Sequence, residues 1–147
     1  MNQITTIQAP PKTPFHPQAA AATVADIMWP PVTIGQHDHV AAAAYLMKHA
    51  GTTALLVLDA QTGQPAGIIT ETDIAHAIAD GNDINEIWAG AAITTRPALP
   101  TTTSIRDAAK IMTAGHYRHL PVTGDTGLLG VVDIIDVCQA LIDAGQE

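Results

Sequence analysis

Apolar and polar positions along this 147-residue chain change their period in the same order twice. Val40, Ala43, Ala44 and Met47 recur at helical spacing, and so do Ile105, Ala108, Ala109 and Met112. The spacing predicts helices over about 39–50 and 104–115. Short apolar runs follow, at about 54–58 and 66–69, then at about 119–123 and 130–132. Each pair is split by a glycine-bearing turn, Asp59-Ala60-Gln61-Thr62-Gly63 in one case and Gly124-Asp125-Thr126-Gly127 in the other. This is the pattern of a hairpin. A last helix is predicted from about 70 to 79 and from about 133 to 144. A short extended piece after a proline opens each copy, at Pro31-Val32-Thr33 and Pro97-Ala98-Leu99.

The two stretches are a repeat. MKHAGTTALLV, from Met47 to Val57, aligns with MTAGHYRHLPV, from Met112 to Val122, at an offset of 65. Gly67-Ile68-Ile69-Thr70-Glu71-Thr72-Asp73 aligns with Gly130-Val131-Val132-Asp133-Ile134-Ile135-Asp136 at an offset of 63, so the second turn is two residues shorter. The fold class is therefore α/β (α+β), with β-α-β-β-α written twice. Neither three-stranded sheet can bury both faces alone. The halves are expected to pack sheet to sheet with pseudo-twofold symmetry, helices outside, leaving two clefts. The expected organisation is a flexible Ala/Pro-rich tail over 1–23, a first repeat over 24–80, a connector over 81–89 and a second repeat over 90–147. A short helix is expected around 84–89. The tail holds Pro10, Pro11, Pro14, Pro17 and the run Ala19 to Ala22, too little apolar surface to offset its ordering entropy.

These residues resemble a tandem pair of CBS domains, the cystathionine-β-synthase type of repeat that forms a Bateman module. The features that carry the resemblance are Val24-Ala25-Asp26-Ile27-Met28 leading to Pro31-Val32-Thr33, Leu120-Pro121-Val122 after Arg118-His119, and the Gly-apolar-apolar-Thr-x-x-Asp string ending in Asp73. They span about 24–143. The resemblance implies a regulatory module that binds an adenosine-containing ligand, such as AMP, ADP, ATP, NAD or S-adenosylmethionine, and that requires no cofactor. It also implies a homodimer, a flat disc of four repeats. No enzyme or channel is attached within this sequence, so the module is expected to stand alone and signal to a separate, unidentified protein. The alternative is a ligand-free scaffold used for dimerisation and interaction.

Composition narrows the classes. Aromatic residues make up 3%, so the core must be aliphatic and base-stacking platforms are excluded. Six Lys and Arg against fourteen Asp and Glu give a net charge of −8, with no basic run for a nucleic-acid backbone. One cysteine excludes a disulfide framework. No apolar run reaches the ~18 residues of a membrane span, and residues 1–23 carry no secretory signal pattern; a soluble, cytoplasmic protein is expected. No nucleophile–base pair, phosphate loop or metal motif is present, so no enzyme activity is expected.

The candidate chemistry lies at the two strings. By resemblance, Asp73 takes the ribose hydroxyls and Thr70 a phosphate or ribose oxygen. A carboxylate can accept from both vicinal hydroxyls, and a helix start favours phosphate. Gly67 permits close backbone approach. Thr-x-x-Asp is also an N-terminal capping box, and on spacing alone the cap is the more ordinary reading; the two are compatible. In the second copy Asp133 replaces the Thr and Asp136 keeps the ribose position. Asp133 preserves the cap but sets a carboxylate where phosphate would lie, a repulsion of about 1 kcal/mol in water and about 4 at an effective dielectric of 20. The Asp133/Asp136 cleft is thus expected to be empty or to take a ligand with little phosphate, and Asp133→Thr is expected to create or strengthen ATP binding there.

The resemblance places Thr33, Thr53, Ala54, Ile68, Tyr117, Arg118, His119 and Val131 among the ligand-binding residues as well. Arg118 reads equally as a phosphate contact or as the partner of Asp133 or Asp136. Ala54 stands where the second copy has His119. His37-Asp38-His39 and His116 read as turn and cap chemistry rather than a metal site. His76 is expected at the surface. Cys138, among Ile134, Ile135, Val137, Leu141 and Ile142, reads as a buried small hydrophobe. Trp29 and Trp88, each near the start of a repeat, read as packing or as a docking surface for a second subunit.

Overall fold

The computed structural model describes residues 23–145; the expected tail lies almost wholly outside them. The chain divides into two compact units, one of residues 32–95 and one that joins the segment ending at Pro31 to residues 96 onward.

In the first unit the elements are β1 (Thr33–Gly35), α1 (Val40–Ala50), β2 (Ala54–Leu58), β3 (Pro65–Thr70), α2 (Glu71–Ala79) and the short α3 (Ala89–Ala92). The sheet order is β1-β2-β3, with β1 parallel to β2 and β3 antiparallel to β2. Val40, Ala43 and Met47 form the inner stripe of α1 and pack with Ile34, Leu55, Val57, Ile69, Ile74 and Ala89. The hairpin turn is closed by Asp59, whose carboxylate accepts from the N–H groups of Gln61 and Thr62. Those backbone bonds, Thr62's first, hold its pKa below the usual aspartate value.

The second unit repeats the plan. A 3-10 turn (Val24–Asp26) precedes β4 (Leu99–Pro100), α4 (Ile105–Gly115), β5 (His119–Gly124), β6 (Gly127–Asp133) and α5 (Ile134–Ala144). The order is β4-β5-β6 with the same parallel and antiparallel pairings. Its core gathers Val24, Leu99, Ile105, Ala108, Met112, Leu120, Val122, Val132, Val137 and Ala140. Both cores are aliphatic, as the scarcity of aromatics requires. The mixed α+β class expected from the pattern is what the chain adopts, and each three-residue hydrophobic rhythm became the helix it predicted.

The opening segments cross over. Val24 is fully buried in the core that holds Leu99 and Val132, and its N–H donates to the Thr103 carbonyl at 2.9 Å. Ala89, where the expected connector meets the second repeat, is fully buried among Ile34, Val40 and Leu55, and its N–H donates to the Asp38 carbonyl at 2.7 Å. Each repeat's first residues therefore complete the unit that contains the body of the other repeat.

Two expectations need correction. The helix expected around 84–89 is a turn started by Asp83, which accepts from Asn85 N–H at 2.9 Å; the helix is α3, a few residues later. Cys138 is exposed, not buried. On α5 the inward positions are Ile134, Val137 and Ala140, three residues apart, which turns Cys138, Ile135 and Ile142 outward.

α1 ends at Gly51 in the left-handed region, φ 65°. α4 ends at His116 in the same conformation, φ 56°. A side chain there costs roughly 1–2 kcal/mol per residue that glycine avoids. His116→Gly is expected to raise stability by about 0.5–1 kcal/mol, read as a higher urea midpoint at unchanged slope. A fall in the midpoint would show that the imidazole contributes more than its backbone strain costs.

Candidate functional site: two unlike helix-start carboxylates

The hairpin register brings the expected residues together at the start of α2. Ala54 pairs with Thr70, and Leu56 with Ile68. The Thr53 carbonyl accepts from Glu71 N–H at 3.1 Å, joining the strand before the hairpin to the helix start. Thr70 and Asp73 are each 2% exposed. They form a complete capping box. Thr70 Oγ1 accepts from Asp73 N–H at 3.3 Å, and Asp73 Oδ2 accepts from Thr70 N–H at 2.9 Å and from Thr70 Oγ1–H at 3.1 Å. The other carboxylate oxygen, Oδ1, accepts from Thr94 Oγ1–H at 2.7 Å. Thr33 is exposed on β1, opposite Leu56. The space above Gly67 is taken by Ile93, whose Cγ2 lies 3.1 Å from where a Cβ would stand.

The start of α5 has the same backbone and different chemistry. The Arg118 carbonyl accepts from Ile134 N–H at 2.9 Å, the counterpart of the Thr53 bond. Asp133 caps the helix by accepting from Ile135 N–H at 2.8 Å. The reciprocal box seen at α2 is not repeated here. Asp136 instead accepts from the Trp29 indole Nε1–H. Asp133 Oδ2 lies 3.5 Å from His119 Nε2, and these two residues are directly paired across β5 and β6. His119 is buried and Tyr117 packs on the core, whereas Arg118 is exposed, with no ion pair among the described residues. The acid–base contact offered to Arg118 thus falls to His119. Val131 is buried and exchanges both backbone hydrogen bonds with Trp29, at 2.9 and 3.1 Å.

Thr94 is a position that pattern reading passed over, and Trp29, read as packing or a docking surface, meets a carboxylate instead. Their signal is in the sequence, since they are 65 residues apart, the offset of the repeat's helices. Each lies on an opening segment and bonds the carboxylate of the unit it completes. Among the other candidates, His76 is exposed, and His37 stacks on the half-exposed Trp88 ring with centroids 4.3 Å apart. No group of three or more His, Cys, Asp or Glu able to hold a metal ion occurs among the described residues. No helix there is long and apolar enough to cross a membrane.

The CBS-domain family model matches twice, over residues 24–80 and 89–143. This chain belongs to the CBS-domain family. An uncharacterized 17.7 kDa protein of Acidianus ambivalens is 36% identical to it over 124 residues, 84% of this chain and 71% of that protein. The crystal structure of a CBS-domain protein from Agrobacterium tumefaciens is 30% identical, with a TM-score of 0.71 over 84% of this chain and 96% of that one. A CBS-domain protein from Pyrobaculum aerophilum, solved in complex with AMP, shares the fold at 21% identity and a TM-score of 0.72, covering 85% of this chain and 99% of that one. Both helix-start carboxylates fall inside the matched CBS repeats, and so do Trp29 in the first match and Thr94 in the second.

Proposed function

We propose that this CBS-domain protein is a regulatory module that binds an adenosine-containing ligand at the helix start formed by Thr70 and Asp73, and that it signals to a separate protein. The observation that carries this reading is the Thr94 hydroxyl bonded to Asp73 Oδ1. A buried carboxylate preset by a capping box already accepts two alcohols, those of Thr70 and Thr94, and a ribose hydroxyl is a donor of the same kind. The AMP complex of the Pyrobaculum aerophilum protein supports an adenine nucleotide as the ligand class. A binding role rather than a catalytic one follows from this chemistry, in which every group is a hydrogen-bond partner and none a nucleophile with its base. Self-association is part of the reading. Tyr45 and Ile78 on α1 and α2, and Ile111, Ile135 and Ile142 on α4 and α5, are large apolar side chains left exposed on helices.

Calorimetry with AMP, ADP, ATP, NAD and S-adenosylmethionine tests the proposal, with light scattering for the mass of the particle. Saturable binding of at least one is expected, weakened by about tenfold or more in Asp73→Asn, the scale of a hydrogen bond to a charged group. Asn keeps an oxygen for the cap while removing the charge. No binding by any of the five would leave the ligand-free scaffold.

A further inference from the structure

In a chain only 3% aromatic, the Trp88 ring is left 50% exposed, and nothing assigned so far uses it. Its surroundings hold it in place. Trp88 bridges His39 in antiparallel fashion. Ala89 N–H donates to the Asp38 carbonyl at 2.7 Å and Gly90 N–H to the Gln36 carbonyl at 2.9 Å. The His37 ring stacks on the indole at 4.3 Å between centroids, tilted by 45°. Gln36 ties this pair to the β2–β3 turn, since its Oε1 accepts from Ala60 N–H at 3.2 Å and its Nε2 lies 3.2 Å from His37 Nε2. A large ring ordered in advance is the kind of side chain on which interfaces concentrate their binding energy, because docking on it costs little further entropy.

The charge nearby has one sign. Asp38, Asp83 and Glu86, on the two segments that meet at Trp88, are exposed. Residues 32–95 hold seven Asp and Glu against a single Lys or Arg, Lys48. Lys48 lies in the last turn of α1, roughly 12 Å along the axis from Val40, the end that adjoins Trp88. An anion finds no donors at that end. The N–H groups of Val40, Ala41 and Ala42 already donate to the carbonyls of Ile87, Ile84 and His39, so the start of α1 has none of the free N–H groups that hold phosphate. The chemistry that fits is a planar cation. A guanidinium stacks on an indole face and donates to carboxylates at its edge.

Resting on the reading that the module signals to a separate protein, we infer that the Trp88–His37 face docks an arginine-bearing segment of that protein. The guanidinium lies on the indole, and Asp38, Asp83 and Glu86 supply the opposite charge. The exposed apolar residues offered for self-association lie on α1, α2, α4 and α5, whereas Trp88 lies on the segment before α3, which leaves this face to a different chain.

The probe is a glycine–arginine peptide with four arginines, beside its lysine and glutamate analogues. Each is titrated into the full chain, labelled with 15N-tryptophan, at physiological salt, where bare surface attraction is screened. Trp88→Phe assigns the two indole resonances. The Trp88 resonance is expected to move with the arginine peptide, less with lysine and not with glutamate, while that of Trp29 stays. Trp88→Ala is expected to weaken arginine-peptide binding by about three- to tenfold at unchanged net charge. Glu86→Lys is expected to weaken it more than Asp125→Lys, the same charge change in the other unit. Equal binding of the arginine and lysine peptides, equal losses from Glu86→Lys and Asp125→Lys, or full binding by Trp88→Ala would reduce the effect to net charge and overturn the inference. The peptide series on the wild type decides even if Trp88→Ala does not fold. A lower particle mass for Trp88→Ala in light scattering would make the ring a contact between copies of this chain, which also overturns it. A chain that binds the arginine peptide at Trp88 but none of the five adenosine ligands keeps this face and loses the sensor. One that binds a ligand but leaves the Trp88 resonance unmoved by the peptide keeps the sensor and overturns the inference.

Discussion

Asp73→Ala is expected to lower the unfolding free energy by about 3 kcal/mol, the largest effect foreseen for any single polar residue here. Two losses combine. The Thr94 hydroxyl loses its charged acceptor, worth about 1.5 kcal/mol. The Thr70 N–H, inside a residue 2% exposed, then has no carboxylate to receive it, and an unsatisfied buried donor costs about 1–3 kcal/mol. Asp136→Ala is the matched control. Asp136 belongs to no reciprocal box and is only half buried, so its removal is expected to cost about 1 kcal/mol, mainly the indole bond. Urea unfolding of both variants against wild type reads the difference directly. Equal losses would show that the box at Thr70 adds nothing to an ordinary hydrogen bond, and a loss below about 1 kcal/mol for Asp73→Ala would show that water or a neighbour replaces the carboxylate at no cost.

Gly130→Ala is expected to destabilise by about 2 kcal/mol, although two effects of opposite sign meet there. Replacing glycine stiffens the unfolded chain and alone stabilises by about 0.4–1 kcal/mol. Against it stands the new Cβ, 2.7 Å from the Trp29 carbonyl oxygen. That neighbour is backbone and cannot rotate away, and overpacking costs typically about 1–3 kcal/mol. The clash wins if the Trp29 segment is held as described. The same substitution pushes that segment off β6, so the indole emission should shift to the red as Trp29 gains water. Gly145→Ala is the control, since its new Cβ meets nothing nearer than 3.5 Å; a change within about 0.5 kcal/mol is expected there. A Gly130→Ala protein as stable as the control would mean that the opening segment yields readily.

The helices and hairpins were legible because their signals are local. Val40, Ala43 and Met47 are buried where the period put them, and the turn at Asp59 closes with the bonds its residues favour. The repeat then supplied the family and the helix-start strings. Illegible parts depend on contacts across long stretches of chain. Nothing in the neighbourhood of Trp29 says that its indole will meet a carboxylate 107 residues away. The burial of Cys138 was misjudged because Ile134, Val137, Cys138 and Leu141 recur at helical spacing, whereas the inward stripe is Ile134, Val137 and Ala140. His119 and Asp133 fall between these cases. Their cross-strand pairing follows from the hairpin register alone, and Ala54 opposite Thr70 is the same pair in the first repeat. Reading the two hairpins as pairs of pairs, rather than as strings, finds that exchange.

The crossing of the opening segments sets a timetable for synthesis. Residues 32–95 are contiguous and carry the whole of one core, so that body has all its parts once Thr95 has left the ribosome. The other is split around it. Val24 and Trp29 emerge early, yet Val132, Val137 and Asp136, the residues that receive them, come more than 100 positions later. Domains form in the order their chain is completed, and closing so long a loop costs only slightly more than closing one half its length, about 0.6 kcal/mol. The segment of Val24 and Trp29, translated before the body of residues 32–95, is thus among the last to reach its native contacts, and until then its apolar side chains wait in water while the chain between them and their partners has already folded.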